Sequence, residues 1–208
     1  MAVTLHLVRH GRTAGNRVKR VMGWSDEPIE DDQHLAAKRV AERLGRMVPP
    51  GTTVVSSPVH RARETAAPTG ERLGVEVQLD DRLGELHVGR WQGMLETEIA
   101  EQEPEAWTTW RTTPHTLRLE GRETLEALYG RVADFLDELA SVERTVVGFT
   151  HDAVVRAAVA WAVGAGPESY RAVEVANCSL TTIEVREDGS RRLVRANDTC
   201  HVDHGPGW

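Results

Sequence analysis

Two residue types are scarce in this chain, and each scarcity excludes something. Two cysteines among 208 residues, Cys178 and Cys200, cannot build a disulfide framework, and they fit a reducing compartment. Only Lys19 and Lys38 are lysines, against 25 basic residues in all, which reads as codon bias rather than a functional signal. No uninterrupted apolar run approaches the roughly 20 residues that cross a bilayer. The opening residues carry no basic segment ahead of an apolar one, so no signal peptide is expected and cytoplasm is the default. No repeat, low-complexity tract or linker divides the chain, which predicts one domain over 1–208. A net charge of −7 argues against a nucleic-acid binder, because phosphate neutralisation needs a basic face.

What remains is a globular balance of 40% hydrophobic and 27% charged residues. The charge is unevenly spread. From Met1 to Met22 every charged residue is basic (Arg9, Arg12, Arg17, Lys19 and Arg20), whereas Glu76 to Glu105 is strongly acidic. A basic patch on an acidic protein can focus a small anion into one cleft.

Strand and helix patterns alternate along most of the length. "VTLHLVR", "TTVVSS", "VEVQL" and "RTVVGFT" read as strands, and "SLTTIEV" and "RRLVRAN" pair around the turn Glu187-Asp188-Gly189. Helical spacing appears from His34, from His60 with an interruption expected near Pro68 and an end at Gly74, in "GRETLEALYGRVADFLDELA", and in "AVVRAAVAWAVG". Residues 81–120, with Trp91, Trp107, Trp110, Pro104 and Pro114, suit a helical insert over one end of the sheet. The alternation predicts an α/β fold: a three-layer α/β/α sandwich with a mostly parallel sheet.

Ligands of such sheets bind beyond the carboxyl ends of strands. Three of those ends carry polar residues: Arg9-His10-Gly11, Ser56-Ser57-Pro58 just before Arg61, and Thr150-His151-Asp152. Two guanidiniums and two imidazoles brought to one point would form an anion site. Arginine forks match phosphate oxygens, and a neutral histidine can attack phosphorus. Gly11 would let the backbone approach the anion, and Thr13 would cap the following helix or donate to a phosphate oxygen.

"LVRHGRT", "SSPVHRARETA", "LGELHVGRWQG" and "VVGFTHDAVVRA" resemble, in order, the signature segments of the histidine phosphatase superfamily, also called phosphoglycerate mutase-like. "ANCSLTTIEV" is similar to that family's last core strand. The resemblance spans about Val3 to Val185 and implies the same three-layer fold. It implies His10 as nucleophile, Arg9, Arg61 and His151 as holders of the phosphoryl oxygens, and Glu85 as general acid. It places Asn16 and Gly23 on the substrate side of the pocket, and it implies no metal and no cofactor. A dimer is common among such proteins.

Departures from the family pattern narrow the reading. Asp152 follows the second histidine where most members have glycine; it belongs to the phosphate-side set, with helix capping the favoured role for its carboxylate. Gln33 stands at another usual glycine. Cofactor-dependent mutases resemble the chain at "MGWSD", but Gly15, Val88 and Glu96 replace their tryptophan, tyrosine and lysine, and their paired insert arginines have no match. Hydrolysis of a small phosphorylated metabolite through a phosphohistidine is therefore expected. The rivals are a mutase, a non-catalytic phosphate-binding module, and a phosphatase acting on phosphohistidine of partner proteins. Substrate choice falls to the insert and to residues such as Trp24, Trp91, Trp107, Trp110 and His115, the tryptophans mainly packing the cap onto the sheet. The tail "CHVDH", Cys200 to His204, has ligand-type spacing but reads as frayed.

Overall fold

In the computed structural model, residues 2–141 and 145–202 are described. In chain order the strands and helices are β1 (Val3–Arg9), α1 (Ala14–Arg17), α2 (Gln33–Met47), β2 (Thr53–Ser56), α3 (His60–Leu73), β3 (Val77–Leu79), α4 (Glu96–Gln102), α5 (Pro104–Thr112), α6 (Leu125–Ala140), β4 (Thr145–Thr150), α7 (Asp152–Val163), β5 (Leu180–Val185) and β6 (Arg191–Asp198). The six strands form one sheet in the order β3-β2-β4-β1-β5-β6. The pairs β3-β2, β2-β4 and β4-β1 are parallel, and only β5 runs against its neighbours.

Alternation along the strands decides the layers. Leu5, Leu7, Val55 and Val146 point to one face, where they pack with α6 and α7 side chains such as Leu128, Phe135, Val154 and Ala158. Val8, Val54, Val147 and Phe149 point to the other, against Ala36, Val40 and Leu44 of α2 and Ala66 of α3. Each such fully buried aliphatic side chain contributes about 1.5–3 kcal/mol. A third, smaller cluster (Trp91, Ile99 and Leu117, with Trp107 and Trp110 against it) gives the segment between β3 and α6 its own apolar centre.

The helix from His60 corrects one expectation, because it runs unbroken through Pro68. Proline inside a helix costs about 3 kcal/mol. Burial of Ala62, Thr65, Ala66, Thr69 and Gly70 on one stripe offsets that, and Arg72 lies across Gly45 of α2 so closely that a Cβ there would sit 2.4 Å from its Nε. Gly74 ends the helix in the left-handed region at φ 66°, as its sequence position predicts.

The tail also differs from the expectation. His201 is buried; its Nε2–H donates to the Cys178 carbonyl at 2.9 Å while Arg43 Nη1 donates to its Nδ1 at 2.7 Å. Asp198, Cys200 and His201 have their ligand-type atoms within 4.8 Å of one another. Arg43 and Arg195 both hold the Asp198 carboxylate, so guanidiniums already occupy the centre of that group. Asp203 and His204 lie outside the described residues.

Register then sets the site. Arg9 pairs with Thr150 and Ser56 with Phe149, so β1, β2 and β4 end at one edge of the sheet. The next residues continue the ladder: His10 N–H donates to Thr150 O and Ser57 N–H to Phe149 O, both at 2.9 Å.

Candidate active site

A cavity of about 150 Å³ opens at that edge. Arg9, His10, Asn16, Gly23, Arg61 and Glu85 line its inner part, and Arg20, Val88, Trp110 and Tyr170 its outer part. His151 lies fully buried beside it, its ring 5.1 Å from that of His10 in an edge-on arrangement and its Nδ1 4.0 Å from Glu85 Oε2.

The state of His10 follows from its partners. Its Nδ1 lies 2.7 Å from the Gly11 carbonyl oxygen, which can only accept, so Nδ1 carries the hydrogen. The lone pair is on Nε2, where it accepts the Arg61 Nε–H at 3.0 Å. Burial, with Arg61 and Arg9 close by, holds the imidazole well below its ordinary pKa of 6.5. At neutral pH it is a neutral, oriented imidazole.

Arg61 enters from the first turn of α3 and is 1% exposed, so its charge must be held by dipoles. Its Nη1 donates to Ser25 O at 2.9 Å and its Nη2 to Gly23 O at 2.8 Å. Gly23 has φ 49°, and a Cβ there would lie 2.7 Å from Val88 Cγ2, so the turn that aims its carbonyl at Arg61 requires glycine. Arg9 donates through Nη1 to Val175 O.

His151 occupies the N-cap position of α7, where the helix dipole adds positive potential. Ser57 Oγ accepts from Val59 N–H at 3.2 Å, so its own hydrogen is free to reach His151 Nε2 at 2.8 Å. In the tautomer that accepts this hydrogen, the ring hydrogen sits on Nδ1, the buried atom without a protein partner that faces Glu85. Burial, then Arg61, His10 and Arg9, depresses this imidazole as well. Glu85 is half-buried; Oε1 accepts Leu86 N–H at 2.8 Å, and burial raises its carboxyl above the ordinary 4.5 despite Arg61. Its backbone carbonyl is pinned by Trp24 Nε1–H at 2.6 Å and Arg131 Nη2–H at 3.3 Å.

Three residues expected near the phosphate do not line the cavity. Gly11 is glycine for the protein's sake: a Cβ would press Gln33 Cβ and Ile29 Cγ2 at 3.2 Å. Thr13 is fully buried and caps α1, accepting Asn16 N–H at 3.2 Å. Asp152 is the first residue of α7 rather than its cap, and its side chain makes no capping bond; its carboxylate instead takes Arg156 Nε at 2.6 Å, with Arg9 at 3.7 Å. An ion pair four residues along the helix won over the cap. Gln33, without an assigned role from sequence, accepts Arg12 N–H at 3.1 Å.

Other contributors have no role predicted from sequence, although Thr65 and Asn177 lie within the segments that resemble the family. Thr65 Oγ1 accepts Gly11 N–H at 2.9 Å and donates to Arg61 O at 2.7 Å, tying the loop after β1 to α3. Asn177 Nδ2 donates to His10 O at 3.0 Å. Tyr170 and Trp110, 5.4 Å apart, meet only through the fold.

Comparison with known proteins agrees with this geometry. The sequence profile of the histidine phosphatase superfamily (branch 1) matches residues 5–199. Phosphoserine phosphatase 1 of Hydrogenobacter thermophilus is 32% identical over 202 residues, covering 96% of this chain and 94% of that protein. The structure of mycobacterial glucosyl-3-phosphoglycerate phosphatase superposes with a TM-score of 0.85 at 29% identity, covering 95% of this chain and 100% of the other. Bacillus stearothermophilus YhfR reaches a TM-score of 0.90 at 26% identity, covering 97% and 100%. The chain belongs to the histidine phosphatase superfamily and is a phosphoric monoester hydrolase.

Proposed function

We propose that this hydrolase acts on a small phosphorylated metabolite in two steps at His10, without a metal. His10 Nε2, on giving up the hydrogen bond it accepts from Arg61 Nε–H, attacks phosphorus in line and forms the N–P bond as the ester P–O bond breaks. Arg9, Arg61 and His151 Nδ1–H hold the three non-transferring oxygens, where negative charge spreads in the transition state. Glu85 gives its proton to the departing alkoxide. It then takes a proton from a water, whose oxygen forms a new P–O bond as the N–P bond breaks, releasing inorganic phosphate.

The observation that carries this reading is the fixed tautomer of His10, with its lone pair on Nε2 beside a buried guanidinium. Hydrolysis is favoured over a mutase cycle because Val88 gives the cavity an apolar wall, and because Glu96 stands near the sequence position where the resemblance puts a mutase lysine. Two relatives named above act, by name, on phosphoserine and glucosyl-3-phosphoglycerate, which supports a small phosphate ester as substrate. The two free cysteines fit a cytoplasmic enzyme, and no described helix is long and apolar enough to cross a membrane. The test is a panel of phosphorylated metabolites with EDTA present, comparing wild type with His10→Ala. Turnover by the wild type alone is expected. Loss of turnover with EDTA, retention in His10→Ala, or isomerisation dependent on 2,3-bisphosphoglycerate would sink the reading.

A further inference from the structure

The two guanidiniums that line the inner cavity, Arg9 and Arg61, are held unequally. Arg61 is fixed by three hydrogen bonds. Arg9 donates through Nη1 to Val175 O, and its Nε is buried without a partner. Its counter-charge is Asp152. The Asp152 Oδ1 lies 3.7 Å from Arg9 Nη1, too far for a hydrogen bond and close enough for an ion pair. The two side chains are only 18% and 25% exposed, so salt screens their attraction weakly. No other carboxylate among the described residues pairs with Arg9.

Asp152 itself cannot follow Arg9. It is the first residue of α7, and its Oδ2 takes Arg156 Nε at 2.6 Å. Arg156 is locked in turn, its Nη1 donating to Tyr170 O at 3.0 Å and also to Val173 O. The carboxylate therefore stays in place whatever Arg9 does. Its field reaches the cavity although its atoms do not line it. Burial raises the Glu85 carboxyl and Asp152 adds to that, against Arg61. Burial raises the Tyr170 hydroxyl, and Asp152 adds to that as well. Glu85 and Tyr170 are both cavity walls.

An anion that takes Arg9 must draw it away from this fixed carboxylate, and the ion pair re-forms when the anion leaves. We propose that Asp152 is a positioning residue: it competes with the phosphoryl group for Arg9, so that the site binds inorganic phosphate loosely and releases it readily. This rests on the phosphohistidine reading, which puts Arg9 on a phosphoryl oxygen. Holding substrate, transition state and product tighter by the same amount speeds no chemical step, so loose binding of phosphate is compatible with fast turnover. An Asp152 that served only Arg156 and the start of α7 would, on removal, leave phosphate affinity unchanged or weaker.

The experiment measures inorganic phosphate as a competitive inhibitor of p-nitrophenyl phosphate hydrolysis, and in parallel the rise in Tm that phosphate induces. Asp152→Asn should lower the Ki of phosphate by at least about fivefold, because a fixed like charge has been removed. The phosphate-induced rise in Tm should grow in the same variant. Asp152→Glu, which keeps the charge, should not lower Ki. Asp152→Ser repeats the neutral arm if Asp152→Asn does not fold. A structural lesion loosens the site and raises Ki, so an unchanged or raised Ki in the folded neutral variant overturns the inference. A Ki lowered equally in Asp152→Glu overturns it too. Wild-type hydrolysis that phosphate does not inhibit competitively, or that survives in His10→Ala, overturns instead the phosphohistidine reading beneath it.

Discussion

The two ends of the cavity are built on different principles. At the inner end, His10 and Arg61 are fixed by hydrogen bonds, both nitrogens of His10 being engaged and Arg61 making three, while Arg9 Nε and His151 Nδ1 are buried without a partner. At the outer end, tilted rings and guanidiniums dominate. Trp110 lies between Tyr170, Arg122 and Arg171, and Val88 and Arg20 complete the wall. On the proposed reading, the inner end is a preorganised electrostatic device for one group, the phosphoryl oxygens, and the outer end a surface that meets whatever the phosphate is attached to. Chemistry should therefore depend on the first and choice of substrate on the second.

The largest test of that division is Glu85→Gln. With an alkyl phosphate the account expects a loss of about 10²–10⁴ in kcat, the usual worth of a positioned general acid. With an aryl phosphate, whose leaving group needs no proton, the first step should survive and the second become limiting. Equal losses with both esters in the rate of the first step, read from the burst of released alcohol, would remove Glu85 from the leaving-group side.

The pH dependence of kcat/KM comes next. His10 must be unprotonated, and its depressed pKa moves the acid limb below pH 6.5. Glu85 must be protonated, and its raised pKa moves the alkaline limb above pH 4.5. The two shifts widen the active window in opposite directions, with activity falling up to tenfold per pH unit outside it. An acid limb above pH 6.5 would show that His10 is not held neutral.

The smallest effect is expected from Trp110→Ala, about tenfold and mainly in KM, because it removes a wall rather than a reacting group. A kcat loss as large as that of Glu85→Gln would dissolve the distinction between the two ends.

The same division explains what the sequence could reveal. The inner residues sit where strands stop, and a strand ending in charge is visible locally: Arg9-His10 after β1 and His151 after β4 announce themselves. The partners of their supports do not. Ser57, Thr65 and Asn177 fall in recognisable segments, but their side chains reach 94, 54 and 167 residues away along the chain, a separation no local pattern encodes. Trp110 and Tyr170 meet across 60 positions by the docking of the insert. Asp152 and Pro68 misled because a local rule was applied alone. A capping preference lost to an ion pair with Arg156, and a helix breaker lost to a buried stripe.

The central claim is that His10 carries the phosphoryl group between the two steps. Glu85→Gln mixed with p-nitrophenyl phosphate, quenched in alkali within the first turnover and mapped by peptide mass spectrometry, tests it directly. The account predicts one phosphoryl group on the peptide containing His10, accumulating with the burst of nitrophenol and absent from His10→Ala,Glu85→Gln. A burst without a phosphopeptide, or the phosphoryl group on His151 instead, would contradict it.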